Sequence, residues 1–387
     1  MQDYEVIVAG LGAMGSATLY QLARMGISAL GLDRFSPPHE LGSSHGDSRI
    51  TRLAIGEGKH LTRFARRSQE LWRQMEQDCG QPLLTQCGAL MISSDLSRAQ
   101  VHGANFFATT LEAASHHRVA HTMLDATAIR SRFPQFCVRD QEYGYYEPEA
   151  GFVRPEACVR AQLTLAERLG AHVQRSEPLL GFEPDGAGVR VITERRSYRA
   201  RRLVLATGAW IPELLGVSFA PAFRVTRQVL TWFAVAENPD LFTPERCPVY
   251  IWQLPEGRRM LYGFPALDGP SGGVKIATEQ DERTTTADSV RREVEQRESD
   301  EFFRDYVRQN LRYLSAHCLK AKSCLYTQTA DFGFIVDTHP SCPEVLIVSA
   351  CSGHGFKHSA ALGEVFSRWG ITGRLPESFT VFGLGRF

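Results

Sequence analysis

The sequence predicts an α/β fold joined to an antiparallel-sheet unit, and three observations predict it. At the N-terminus a short apolar strand runs into a glycine-rich loop, a helix and a second strand. The middle of the chain holds short runs rich in β-branched and aromatic residues, the composition of sheet. Strand–helix units return on both sides of that middle, the last of them near the C-terminus.

The elements follow in order. Residues 4–9 form the first strand, and Met14, Thr18, Leu22 and Met25 then recur at helical spacing before Gly26 ends the helix. A second strand, Ala29 to Leu32, closes on Asp33. An amphipathic helix is expected over 60–78, with Leu61, Phe64, Ala65, Ser68, Leu71, Trp72 and Met75 on one face. "RPEACVRAQLTLAERLG" starts a helix at Pro155 and ends it at Gly170. "RRLVLATGAW" (201–210) is a buried strand running into a glycine turn. Sheet segments are expected at 228–237, 248–253 and 258–266, with Pro255, Glu256 and Gly257 as a turn between the last two. A helix-forming stretch spans 287–314, with Val290, Val294, Phe303, Val307, Leu311 and Leu314 as its apolar positions. "VLIVSACSGHGFKHSAALGEVFSRWG" then reads as strand, glycine loop and helix. A single nucleotide-binding domain interrupted by insertions accounts for this order better than two domains in series. We assign 1–85, 150–216 and 320–387 to it, and 86–149 and 217–319 to a smaller α+β substrate-binding domain.

Charge narrows the partners. Lys+Arg and Asp+Glu are both 43, so neither nucleic acid nor an anionic membrane surface is expected to bind. Nine cysteines stand at 79, 87, 137, 158, 247, 318, 324, 342 and 351 without a CxxC pair, which suggests neither a disulfide framework nor a metal site. The N-terminus lacks the basic head of a signal peptide, and no run of about 18 apolar residues occurs. A soluble cytoplasmic enzyme is expected.

Gly10, Gly12 and Gly15 form a GxGxxG loop between strand and helix, with Asp33 18 residues beyond Gly15. The first glycine makes the turn, the second lets backbone approach a pyrophosphate, and the third lets the helix pack on the strand. The helix N-terminus stabilises the phosphate charge, and the acid suits a ribose hydroxyl. This makes the domain Rossmann-like. An NAD domain normally completes its βαβ units in succession, whereas this one breaks off and returns twice. "LVLATGAW" and the late "GHGF" loop, with Gly353 and Gly355, suit a longer cofactor, FAD.

Three segments carry a resemblance. "PPHELGSSHGDSRITR" (37–52), "SCLYTQT" (323–329) and "CSGHGFKHSAALGEV" (351–365) resemble the monomeric sarcosine oxidase and N-methyltryptophan oxidase family, and the likeness runs nearly the whole chain. The resemblance implies an FAD enzyme that oxidises N-methyl or cyclic secondary amino acids with oxygen, yielding an imine and hydrogen peroxide. It also implies roles for particular residues. An isolated cysteine is usually a small core residue; the resemblance instead makes Cys324 the covalent flavin anchor. Nearby cations favour a thiolate, and Lys320 and Lys322 stand close by in the sequence, although the resemblance assigns them no role. Ser43 joins the cofactor contacts. His45 and Arg49 match residues beside the flavin ring, where positive charge stabilises the reduced form. Arg52 and Lys357 match the substrate-carboxylate clamp, a guanidinium and an ammonium together. On residue type alone, such arginines are more often surface ion pairs. Lys275 matches the oxygen-activating lysine, although a strand lysine beside glycines is otherwise an edge charge. Tyr262 matches a substrate-pocket tyrosine, where a strand aromatic is otherwise core.

The chain departs from the family at two places. Glu279 stands where an active-site histidine is usual, and Ser44 replaces a common histidine beside His45. A carboxylate in the pocket would repel a bare carboxylate substrate and attract a cationic group. The expected substrate is therefore a larger or more basic N-substituted amino acid than sarcosine, with oxygen as the second substrate and the enzyme a monomer. Two alternatives stay open: an FAD-dependent dehydrogenase using another electron acceptor, and a flavin-binding module without turnover.

Overall fold

The computed structural model describes residues 3–94, 100–101, 104–254, 260–280 and 283–387. Its first eight-stranded sheet has a parallel core in the order His172–Gln174, Ala29–Leu32, Asp3–Ala9, Ser197–Leu205 and Cys342–Ser349. Val6, Ile7, Val8 and Ala9 are all fully buried, as expected of a strand covered on both faces. Strands Leu179–Asp185, Gly188–Thr193 and Ile335–His339 add antiparallel edges. The helix Ala13–Arg24 packs against both Pro155–Arg168 and Ser359–Thr372. At the second crossing a Cβ on Gly363 would lie 2.7 Å from the Ala17 backbone, so only glycine permits that approach.

The second eight-stranded sheet runs Leu314–Gln328, Arg224–Val235, Val274–Thr278, Met260–Gly263, Val249–Gln253, Ala89–Ser93, Tyr143–Glu147 and Thr122–Asp125. It is mixed, not purely antiparallel as expected, because Val249–Gln253 pairs parallel with Ala89–Ser93. Those two strands come from separate parts of the chain, so no hairpin dictates their direction. A small three-stranded sheet, Arg49–Thr51, Gly151–Val153 and Leu84–Gln86, lies apart from both.

The expected helix over 287–314 is largely absent. Helix runs only over Gln296–Phe302, started by a capping box between Glu295 and Glu298, and is followed by one π turn at Phe303–Val307. Val290 is instead buried with Ala209, Val225 and Leu325, and Leu314 opens the next strand. Tertiary burial overrode a weak helical periodicity. The strand Leu314–Gln328 continues without a break past residue 320, where the sequence placed a domain boundary. The expected turn at Pro255, Glu256 and Gly257 lies outside the described residues. Among the described residues no helix is long and apolar enough to cross a membrane.

Candidate active site

A long cavity of about 1700 Å³, including its open mouth, follows the glycine loop across the end of the first sheet. Gly10, Gly12, Asp33, Ser43, Gly353 and Gly355 all line it. Gly10 has φ +84°, and a Cβ there would sit 2.5 Å from the Ala206 carbonyl oxygen. A Cβ on Gly15 would fall 1.7 Å from the Gly10 carbonyl oxygen, and one on Gly355 equally close to that of Ala350. Asp33 accepts from the Leu11 N–H at 2.7 Å and the Phe35 N–H at 2.8 Å, which fixes its carboxylate at the end of the second strand. Ser44 accepts the Ala13 N–H at 3.0 Å, so this departure from the family touches the glycine loop. The Thr207 hydroxyl, in the cavity wall, is buried and unpartnered among the described residues. Glycines no side chain can replace, an acid at the strand end and an orphaned hydroxyl fit FAD.

A second cavity, about 730 Å³, shares Arg49, Tyr326, Gly353 and Phe356 with the first. Its remaining wall includes Arg52, Glu57, Tyr262, Glu279, Cys324 and Lys357 among apolar side chains such as Ile50, Phe106, Leu230 and Met260. Strand period explains the convergence. Residues two apart share a face, so Lys275 and Ala277 point the same way, with Glu279 next in step. Register places Tyr262 opposite Ala277, Trp232 between Lys275 and Lys320, and Gln228 opposite Cys324. One face of the second sheet thus carries Lys275, Tyr262 and Cys324, with Glu279 just beyond the end of its strand.

Arg49 is the cation beside Cys324. Its Nη2 donates to the Ser43 carbonyl at 2.9 Å and lies 3.5 Å from the sulfur, while Nη1 donates to the Ser48 carbonyl at 3.0 Å. Sequence reasoning had offered Lys320 and Lys322 for this position. Both are engaged elsewhere, Lys320 with Asp47 at 2.6 Å and Lys322 with Glu40. Local spacing along a strand puts the lysines on the same face as Cys324 but about 7 Å or more away. The fold brings Arg49 closer from 275 residues upstream.

Arg52 and Lys357 do come together, and they share a carboxylate that sequence reasoning missed. Arg52 Nη2 lies 2.5 Å from one oxygen of Glu57, and Lys357 Nζ lies 3.2 Å from the other. Arg52 also donates to the Ala54 carbonyl and stacks over Phe106 at 4.8 Å. Burial lowers the Lys357 pKa to about 8 against the opposing pull of Glu57. Behind the clamp, buried Glu147 accepts the Leu53 and Ala54 N–H groups at 2.5 and 3.2 Å. Burial raises its pKa, and those N–H groups oppose the shift. Tyr262 and Tyr326, whose hydroxyls are 3.5 Å apart, are pushed upward by burial, Tyr262 to about 12.

His45 and Lys275 line neither cavity. His45 is fully buried. Burial, then Arg49, Lys275 and Lys322, lower its pKa to about 2, so the ring is neutral. Lys275 is turned onto the 46–48 segment, donating to the Gly46 carbonyl at 2.7 Å and the Ser48 carbonyl at 2.8 Å. Burial holds its pKa well below the usual lysine range. Among the described residues no cluster able to hold a metal occurs.

A dinucleotide cradle opening onto a small chamber with fixed cations defines an oxidoreductase that works through a bound nucleotide cofactor. A family model described as FAD dependent oxidoreductase matches residues 5–369, and the chain belongs to that family. A monomeric sarcosine oxidase from Streptomyces avermitilis is 38% identical over 380 residues, covering 98% of this chain and 96% of the relative. An N-methyl-L-tryptophan oxidase from Yersinia pestis is 31% identical over 389 residues, with 100% of both chains covered. The resemblance read from three segments therefore holds along the whole chain. Among solved structures, NikD, described as an unusual amino acid oxidase, superposes with TM-score 0.84 at 22% identity, covering 99% of this chain and 98% of its own. An L-proline dehydrogenase from P. horikoshii gives 0.79 at 17%, covering 99% and 97%. These two share the fold.

Proposed function

We propose that this FAD-dependent enzyme oxidises a secondary amino acid, N-methyl or cyclic, with oxygen, giving hydrogen peroxide and an imine that hydrolyses to an aldehyde and an amine. The observation that carries the reading is the buried pair Arg52 and Lys357, converging on one carboxylate in a chamber that opens onto the cofactor cavity. A guanidinium and an ammonium at such spacing are built for a carboxylate ligand. The substrate carboxylate takes the place Glu57 holds, and the apolar wall takes the side chain.

FAD, when bound, supplies the acceptor for the two electrons and passes them to oxygen. The residues supply binding, orientation and field. Gly10, Gly12, Gly15 and Asp33 hold the nucleotide, with Ser43, Gly353 and Gly355 along its path. Arg49, at the junction of the two cavities, disfavours a second positive charge and so favours the neutral amine. Neutral His45 packs behind it. Tyr262 directs a hydroxyl at the substrate, and Glu279 sets a preference for a cationic group. Lys275 provides the fixed charge that oxygen needs as it takes up electrons. Cys324 would hold the flavin covalently through its sulfur, a linkage whose formation would require oxygen as two-electron acceptor.

The related proteins named monomeric sarcosine oxidase support a monomer. No disulfide joins any of the nine cysteines, which suits a cytoplasmic enzyme.

The test is a peroxide assay on N-methyl and cyclic amino acids in air-saturated buffer, with acid precipitation of the protein beside it. Peroxide together with flavin in the pellet upholds the reading. Substrate-dependent dye reduction without peroxide replaces oxygen by another acceptor, and flavin left in the supernatant removes the covalent link.

A further inference from the structure

The 46–48 turn is gripped on three sides by charged residues from three separate elements. Gly46 and Asp47 both have positive φ, +98° and +67°, a conformation that costs free energy for an aspartate. Their successive N–H groups converge on one oxygen of Glu156, at 2.6 and 3.1 Å, from the first turn of helix Pro155–Arg168. The opposite side of the turn offers the Gly46 and Ser48 carbonyls to Lys275. The Asp47 side chain is held by Lys320 at 2.6 Å. Trp232 stands between the two lysines in register, its ring 5.6 Å from Lys275 Nζ and 4.5 Å from Lys320 Nζ. A Cβ on Gly46 would meet Leu230, Arg49 and Lys275 at 2.6, 3.3 and 3.6 Å, so the turn has no room to shift towards the site.

We propose that Asp47 and Lys320, with Glu156 and Trp232, are positioning residues for the oxygen reaction, acting by fixing the turn that orients Lys275. The inference rests on the reading of Lys275 given above. A buried ammonium on a four-carbon stem has rotamer freedom, and only fixed acceptors hold it in one place. Two carbonyls of a strained turn do this, and the turn keeps its shape because its N–H groups and its side chain are both paired with charges. The charged groups that face Lys275 are Arg49, which opposes its protonation, and Asp47, Glu156 and the Cys324 sulfur, which favour it. Neutralising Asp47 therefore loosens the turn and also removes a negative charge that opposes the burial-driven fall in the Lys275 pKa.

The experiment follows Lys320→Gln, Asp47→Asn, the double variant and Lys275→Met as flavin-loaded enzymes. Reduction by substrate is measured anaerobically, reoxidation by oxygen is measured across pH, and a crystal structure of Lys320→Gln is determined. Lys320 is about a third exposed, so its replacement leaves the fold intact even if Asp47→Asn does not fold. The expected result is an oxygen rate constant lowered about tenfold in either single variant, with substrate reduction within about twofold. The double variant falls no further than the worse single, as a coupled pair should. The basic limb of the reoxidation profile moves to lower pH in Asp47→Asn, and in the Lys320→Gln crystal Lys275 leaves at least one of its two carbonyls. Normal reoxidation in both single variants, with Lys275→Met slow, overturns the proposal and leaves the role of Lys275 standing. Normal reoxidation in Lys275→Met overturns both. Equal losses in reduction and reoxidation, or an unmoved Lys275 in the crystal, also overturn it.

Discussion

Arg49 and Cys324 meet at 3.5 Å, nitrogen to sulfur, although 275 residues separate them in the chain. The guanidinium there cannot be deprotonated, so a fixed positive charge faces the sulfur. FAD added to flavin-free protein should attach to Arg49→Met about tenfold more slowly than to wild type, because no fixed cation then faces the attacking sulfur. Arg49→Lys should lie between the two. Flavin fluorescence on a denaturing gel, followed over time, checks it, and an unchanged rate would make Arg49 irrelevant to attachment.

Glu57 is expected to compete with a substrate carboxylate for Arg52 and Lys357. Glu57→Gln leaves Arg52 and Lys357 without their internal counter-charge, so a simple carboxylate such as acetate should bind about tenfold more tightly. The ligand-free protein should melt lower, since two buried cations lose their partner, at a cost of about 3 kcal/mol. Adding acetate should recover part of that loss. Titration of flavin absorbance and thermal melts with and without acetate would show both effects; weaker acetate binding would mean Glu57 orients the clamp instead of occupying it.

Glu279 lies in the chamber wall, 3.4 Å from where a Cβ on Gly353 would stand. Its carboxylate is expected to favour Nα-methyl-lysine over the isosteric, neutral Nα-methyl-norleucine. Glu279→Gln should reduce that ratio of kcat/KM by about tenfold, or 1.4 kcal/mol. An unchanged ratio, or sarcosine oxidised as well as either, would remove Glu279 from specificity.

His45 ties stability to pH. Its folded pKa is about 2 against 6.5 for the free side chain, so between those values the unfolded chain binds a proton that the folded one refuses. Stability therefore rises with pH through this window, and falls by up to about 1.4 kcal/mol for each pH unit below 6.5. In His45→Asn that part of the acid sensitivity should vanish. Urea unfolding at pH 6.5 and 5.0 gives the comparison, and parallel losses in the two proteins would clear His45.

Much of this was legible in the chain. The glycine loop, Asp33 and the parallel strands depend on local rules, since a turn, a helix start and an apolar run are each set by neighbouring residues. Arg52 and Lys357 were expected as a pair because both lie in recognisable motifs, and the fold does bring them together on Glu57. The helix over 287–314 failed because its periodicity was weak and the buried partners of Val290 come from distant strands. Glu57, five residues beyond the quoted 37–52 segment and one acid among many, gave no signal of its own.

What the sequence determined by itself was the family, the cofactor class and the order of the nucleotide-binding elements. Tertiary structure decided which charges meet. Only the folded chain shows that Arg49, not the neighbouring lysines, faces Cys324, that Glu57 bridges the clamp, and that Lys275 and Lys320 flank Trp232 above one turn. Local structure follows from a few adjacent residues, whereas ion pairs fall off with distance in space and are indifferent to distance along the chain.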